Sequence, residues 1–295
     1  MQLDSREIKA IETCSKDGLT RTHLVDCISR VLIIAYKEST QELEALLTSE
    51  GFDVEVLRQE AKPEYQNFSR SYLCLMNHCR AWQRAMQAAQ PTIIIEADFV
   101  PVVDFGELPL PFNPNQNDVG ISWLYTCAPQ LYYVSSDGYA EGFSTSAVAY
   151  IVNPQSACYL LELAEEIRTN VGVTNYSTWD STIDSFLRQK KLKNYIPWRN
   201  YGEHGGLPNP EHYQNKLSKT HRADVLHGKL AFIPLYAVGK NGGNLRLLSV
   251  RFWARIKGIT RLLTGRFLRV KVLQGSSSPI RLLSFAVLRQ LTLNV

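Results

Sequence analysis

Between Arg30 and Asp98, apolar runs of strand length alternate with stretches of helical spacing, and this rhythm narrows the fold more than any other feature. Arg30-Val31-Leu32-Ile33-Ile34-Ala35-Tyr36 is a short β-branched run bounded by polar residues, the pattern of a buried strand. From Ser39 to Glu50, Leu43, Leu46 and Leu47 keep helical spacing, and Gly51 ends the segment. Phe52 to Leu57 alternates as a second strand. A helix is expected from about Ser71 to Ala89, and Pro91 leads into a third strand, Thr92-Ile93-Ile94-Ile95. Strands separated by helices imply parallel pairing with covering helices. The expectation is an α/β fold with a mostly parallel central sheet.

Residues 104–118, rich in Pro and Asn, read as a loop. Val119 to Leu124, Leu131 to Val134 and Phe143 to Val152 read as further strands. Pro154 opens a helix through Leu163, a second helix is expected from about Trp179 to Lys190, and Asn194 to His212 reads as irregular. Three regions follow: a helical leader over 1–29, a body over 30–238 and a tail over 239–295.

Charge separates body from tail. The chain of 295 residues carries 32 Lys and Arg against 28 Asp and Glu, but from Lys240 onward there are eleven basic residues and no acidic one. Residues 1–239 therefore hold 21 basic and 28 acidic residues, a net of −7. An acidic body without aromatic stacking motifs argues against nucleic acid as a partner. With 45% hydrophobic and 20% charged residues, the chain has the profile of a globular protein. The six cysteines show no C-x-x-C pair, which points to reduced, buried thiols rather than a disulfide framework or a zinc knuckle. No basic start precedes an apolar run, so no signal peptide is expected, and no stretch is apolar enough over ~20 residues to span a bilayer.

Glu96-Ala97-Asp98 places two carboxylates just past an apolar strand, where ligands bind in open α/β sheets. Two carboxylates one residue apart can approach a single divalent cation, and Mn²⁺ or Mg²⁺ prefers such hard oxygen ligands. A cation there would neutralise the charge that develops on a departing diphosphate.

The run from Tyr72 to Trp82, through Asn77-His78, followed by Thr92 to Val100, resembles a pattern in the lipooligosaccharide glycosyltransferases of family 25. There, a helix with a Ser-His pair and a Trp four residues after the His leads into a strand ending Glu-Asp-Asp. Gly142 to Pro154 resembles that family's glycine, small-residue, Ala-Tyr, Ser-Pro segment, and Trp179 to Leu187 its later acidic element. Two positions depart: Asn77 stands where the family has Ser, and Ala97 replaces the central Asp. The resemblance implies a GT-A-like nucleotide-sugar-binding fold, a UDP-sugar donor, and transfer to a lipopolysaccharide or other surface glycan.

Residue roles follow. Asp98 is the first choice for the metal, with Glu96 binding metal or the donor's hydroxyls. His78, one helical turn before Trp82, would contact donor phosphate, orient the acidic step or simply fill the core. Asp180 and Asp184, at i and i+4 on one expected helix face, are the two candidates for the base that deprotonates the acceptor, with Asp180 preferred. The segment Tyr201 to His212 is dense in Gly, His and Glu, and His204 is its preferred metal ligand. A non-catalytic nucleotide-sugar- or glycan-binding protein of the same fold, disabled at Ala97, is the alternative.

In the tail, helical spacing gathers Phe252, Trp253, Ile256, Ile259, Leu263 and Phe267 on one side, with Arg251, Arg255, Lys257, Arg261 and Arg266 around them. A basic amphipathic helix of this kind suits an anionic membrane surface, and its apolar side could equally pack on the body. Together these features predict a cytoplasmic enzyme, peripheral at the inner face of a membrane.

Overall fold

The computed structural model describes residues 22–207, 221–238 and 243–292. Most of the expected leader and residues 208–212 of the glycine-rich segment lie outside them; Leu24–Cys27 forms a short helix, α1. Strand β1 (Arg30–Ala35) sits between β2 (Asp53–Arg58) and β3 (Thr92–Glu96), and both pairings are parallel. Helix α2 (Gln41–Ser49) links β1 to β2, and α3 (Arg70–Met86) links β2 to β3. Gly51 stops α2 with φ +94°, a left-handed conformation that side-chain-bearing residues rarely adopt. Ser69 caps α3 by accepting from the Tyr72 amide at 3.1 Å.

Beyond β3 the sheet becomes mixed. β8 (Ala149–Val152) runs antiparallel to β3 and to β5 (Val119–Trp123), and β9 (Lys193–Ile196) runs parallel to β5. β7 (Ala140–Phe143) and β6 (Gln130–Val134) complete the order β2-β1-β3-β8-β5-β9-β7-β6 with antiparallel pairs. Three of the seven pairings are parallel and four antiparallel, so parallel pairing does not extend through the sheet as expected. One of the four antiparallel pairs has a local cause: β6 and β7 are joined by a tight turn at Ser135–Tyr139, which only antiparallel strands allow.

Two expected boundaries change. Phe143 to Val152 is two strands, because Ser144 and Ser146 turn their hydroxyls onto backbone amides instead of leaving them for a ladder. Ser144 Oγ accepts from Cys127 N at 3.0 Å, and Ser146 Oγ from Val148 N at 3.4 Å. The segment after Asn194, expected to be irregular, contributes β9 to the sheet interior and β10 (Gly202–His204), which pairs with β4 (Phe99–Pro101) in a small second sheet. Gly202 is required there, since a Cβ would lie 2.2 Å from the Phe99 ring.

Both faces of the sheet are covered. Leu32, Ile34, Ile94 and Tyr150 face α3 and the helices α4 (Pro154–Asn170) and α5 (Ile183–Gln189), while Val31, Ile33, Ile93 and Ile95 face α2 and the residue 99–125 region. That two-sided burial is why β1 and β3 read as continuous apolar runs. All five cysteines among the described residues are free, but only Cys127 is buried, so the expected burial of the thiols does not hold generally.

The C-terminal region forms α6 (Gly243–Leu263), α7 (Val270–Gly275) and α8 (Pro279–Leu291). Leu131 N donates to Phe267 O at 2.8 Å, so this region covers the edge strand β6. Arg289, with no exposed side-chain surface, pairs with Asp224, whose carboxylate also accepts from Gln290, Asn200 and Val225 N. Arg251 pairs with the fully buried Glu203. Phe267 lies beyond α6 and is buried, whereas Phe252, Trp253, Ile256 and Leu263 face outward. No helix among the described residues is long and apolar enough to cross a membrane.

Removing one member of a buried ion pair leaves its partner uncompensated, at a cost of about 3–5 kcal/mol. Asp224→Ala is expected to lower unfolding stability by about that amount in urea titrations, because Arg289 then has no carboxylate.

Candidate active site

Glu96 ends β3 at the C-terminal edge of the parallel half of the sheet. Its Oε1 lies 3.3 Å from His78 Nε2, and the Cys74 thiol reaches the same oxygen at 3.8 Å. His78 is completely enclosed, between the rings of Trp82, Tyr150 and Trp179. Its Nδ1 is 2.7 Å from the Tyr150 hydroxyl, which accepts from Trp82 Nε1 at 2.8 Å. With the imidazole proton on Nε2, every donor in this chain is used: the indole donates to the phenol, the phenol to Nδ1, and Nε2 to Glu96. Burial therefore closes His78 to direct contact with a phosphate and leaves it to orient the acidic step. Trp82 is part of the core and also anchors this chain.

Ala97 follows with its amide donated to Ile34 O at 2.9 Å and its side chain against the apolar cluster on the opposite face. Asp98 then turns back: its Oδ2 is 3.0 Å from His204 Nε2 on β10. Burial alone would raise the Asp98 carboxyl and lower the His204 imidazole. Their mutual attraction prevails, holding Asp98 below the usual range and pushing His204 up to about 9. The glycines after His204 let the chain pass this close. A Cβ on Gly206 would lie 2.1 Å from Asp98 Oδ2, and one on Gly205 would lie 2.8 Å from Asp98 O. The close approach these glycines permit is to Asp98 itself.

Arg222, which no local sequence pattern marks, locks this turn. It donates to His204 O at 2.6 Å and Gly206 O at 2.9 Å, and its guanidinium lies 3.9 Å from the Tyr236 ring centre. The roles of Cys74 and Tyr150 likewise emerge only in the folded chain, which brings them to Glu96 and His78.

The two aspartates of the expected helix part company. Asp180 lies in the 3₁₀ turn Trp179–Thr182, ahead of α5, and accepts from Ser181 N at 2.8 Å. Burial, with a contribution from the charge on Glu96, pushes its carboxyl up to about 7. Asp184 lies within α5 and is buried, accepting from Tyr132 at 3.1 Å and Asn194 at 2.9 Å. The i, i+4 geometry fails because the helix begins only at Ile183, and Asp184 is occupied as a strut to β6 and β9. The structure brings Glu96, Asp98, His204 and His78 together, sets Asp180 electrostatically beside them, and leaves Asp184 out.

One ligand atom each from Glu96, Asp98 and His204 lies within 4.8 Å of the others, and Cys74, His78 and Glu96 form a second such group behind them. About a quarter of each carboxylate side chain is open to solvent. Asp98 Oδ1 and His204 Nδ1 are buried without a hydrogen-bond partner, a condition that costs about 1–3 kcal/mol per group. Two carboxylates and an imidazole with orphaned atoms, framed by a glycine that leaves no side chain in the way, fit a hard divalent cation. A cavity of about 340 Å³, lined by Phe112, Gln116 and Asn153 among others, contains neither carboxylate.

No known protein family's model matches the chain, and no curated protein matches it. Among solved structures, it is similar to a glycosyltransferase involved in glycosylation of the major capsid of PBCV-1, at 8% identity and TM-score 0.38, covering 56% of this chain and 80% of that one. It is similar to the glycosyltransferase GlyE of Streptococcus pneumoniae TIGR4 at 14% identity and TM-score 0.31; the match covers 58% of this chain and under half, 45%, of GlyE. It is also similar to a Drosophila beta-1,4-galactosyltransferase 7 in complex with manganese, UDP-Gal and xylobiose, at 13% identity and TM-score 0.32, over 65% of this chain and 75% of that one. All three are glycosyltransferases, but likeness this slight does not fix a shared fold.

The chain behind Glu96 is open to a direct check. Tyr150→Phe leaves the Trp82 indole and His78 Nδ1 unpaired in a sealed pocket and is expected to cost about 1–3 kcal/mol in chemical denaturation. The double variant Tyr150→Phe with Trp82→Phe should recover part of that loss, since it removes the stranded indole donor.

Proposed function

We propose that this chain is a GT-A-like glycosyltransferase that moves a sugar from a UDP-sugar to a lipopolysaccharide or other surface-glycan acceptor, with Mn²⁺ or Mg²⁺ held by Asp98, Glu96 and His204. The observation that carries this reading is the convergence of those three side chains at the C-terminal end of β3, with Asp180 beside them at a carboxyl pKa near 7. When bound, a divalent ion would supply charge neutralisation for the diphosphate leaving group.

The chain's own residues do the rest. Glu96, kept in place by His78, faces the donor's hydroxyls. Asp180 takes the proton of the acceptor hydroxyl as its oxygen bonds to the anomeric carbon. The bond from that carbon to the diphosphate oxygen breaks, and its electron pair leaves with the diphosphate. Displacement is direct, with inversion. A base poised near neutrality suits this work, because it is ionised at working pH and still basic enough to accept a proton. The acceptor's lipid-linked or surface character would place the protein in the cytoplasm at the inner face of a membrane.

A panel of UDP-sugars with and without Mn²⁺, followed by thermal shift and by release of UDP, tests the reading. The expected result is Mn²⁺-dependent stabilisation by at least one donor and turnover that Asp98→Ala abolishes. Donor binding without turnover would instead support the non-catalytic reading, and absence of both would sink the proposal.

Asp180→Asn is expected to lower kcat by roughly 10²–10⁴-fold, with donor affinity little changed. The pH profile follows from the same group, which faces Glu96, Cys74 and Cys127. A carboxyl raised to about 7 is protonated below that pH and cannot accept a proton, so kcat/KM should rise through pH 7. A flat profile from pH 5 to 8 would remove Asp180 from this role.

A further inference from the structure

Helix α6 packs on the body with its small and cationic side. Ala254 and Gly258 are buried, Arg251 reaches Glu203 and Ala223 O, and Arg261 donates to Ala128 O at 2.9 Å. The opposite side is apolar and open: Leu245 is 73% exposed, Leu248 65%, and Phe252 and Trp253 60% each. At 3.6 residues per turn, Leu245, Leu248, Phe252, Ile256 and Leu263 form one ridge three turns or more in length.

We propose that this ridge docks the protein on the surface of an anionic lipid bilayer. The occupant is chosen by charge. The eleven basic residues from Lys240 onward come with no acidic residue, and Arg246, Lys257, Arg266, Arg269 and Lys271 are exposed beside or just beyond the ridge. Two copies of this chain meeting through their ridges would bring cations against cations with no carboxylate between them. An anionic interface answers both features at once. Headgroups meet the flanking Lys and Arg, and the row of Leu and Phe enters the acyl boundary by about 5–10 Å. Trp253, on the shoulder of the ridge, is the amphipathic ring that interfaces favour. The surface is separate from the acidic step, so it stands or falls independently of the transferase reading.

The intact protein is floated with phosphatidylcholine vesicles, with and without phosphatidylglycerol, alongside the variant Phe252→Ser/Trp253→Ser. Flotation with anionic vesicles is expected, weakening as salt rises, with little on neutral ones. The double variant should bind at least about tenfold more weakly, since both aromatic side chains leave the interface. Because the two side chains are exposed, its unfolding curve should match the wild type. Tryptophan emission should shift to the blue on anionic vesicles in the wild type but not in the variant. Equal flotation of variant and wild type, equal binding to neutral vesicles, or no flotation at all would overturn the proposal. So would a wild-type dimer that the variant dissolves without any vesicle binding, or binding to single-stranded RNA in place of vesicles.

Discussion

Glu203 and Asp224 are carboxylates removed from water inside the body, and each is met by a guanidinium from the C-terminal helices, Arg251 and Arg289. Stripping a carboxylate of water costs several kcal/mol, and a single counter-charge does not always recover it. The two sites differ in how fully they do so. Asp224 accepts five hydrogen bonds, two from Arg289 and one each from Gln290, Asn200 and Val225 N. Burial would raise its carboxyl, but the Arg289 charge and these donors hold it below the ordinary range. Among the described residues, Glu203 accepts only from Arg251 and Ala223 N, and there burial wins and the carboxyl is raised. The split between an acidic body and a basic C-terminal run is thus a set of contacts: cations from the second segment neutralise acids buried in the first.

This constraint reaches the candidate active site through one peptide bond. Glu203 precedes His204 on β10, so the clamp from α6 fixes the strand that presents the imidazole to Asp98. Arg222 holds the other side of the same turn through His204 O and Gly206 O. Glu96 is fixed from behind by His78, itself held by Tyr150 and Trp82. Each carboxylate of the step therefore has one histidine, contributed by a different element. Such positioning before any ligand arrives is what electrostatic stabilisation of a developing charge requires. Ala97, between them, packs toward the opposite face, so its lack of a carboxylate takes nothing from the contacts made by Glu96 and Asp98.

What the sequence made legible follows the reach of each interaction. Buried β-branched runs announced β1 and β3, and the placement of Glu96 and Asp98 at a strand end came with them. His204 stood out because a segment dense in glycine lets the backbone approach a ligand closely and an imidazole there can complete a metal shell. β9 was not, since Lys193-Asn194-Tyr195-Ile196 is too short and polar to stand out, and only its neighbours β5 and β7 make it a strand. The pairing of Asp180 with Asp184 failed for a related reason: spacing of four implies a shared face only if the helix already runs through both, and here it starts between them. No local pattern marks Arg222, and although Cys74 and Tyr150 fall within segments that do stand out, their roles arise only from contacts with residues distant in sequence.

The orientation of α6 shows how a buried acid can decide what a periodic pattern leaves open. Helical spacing placed an apolar row opposite a basic one and could not say which faces the body. Hydrophobic burial alone favours turning Leu and Phe inward. Against this stands the space available. A Cβ on Gly258 would lie 2.7 Å from Gln290 Oε1 and 2.8 Å from the Asp224 Cβ, so the contact admits only the smallest side chains. Turning the helix over would also withdraw Arg251 from Glu203 and strand a carboxylate with no access to water. Exposed apolar side chains forgo about 1.5–3 kcal/mol each of possible burial, and over the whole row that exceeds the about 3–5 kcal/mol that breaking one buried pair costs. The steric fit therefore decides: Asp224 and Gln290 leave no room in the groove for a bulky row, so the arginines face in and the apolar ridge is left on the outside.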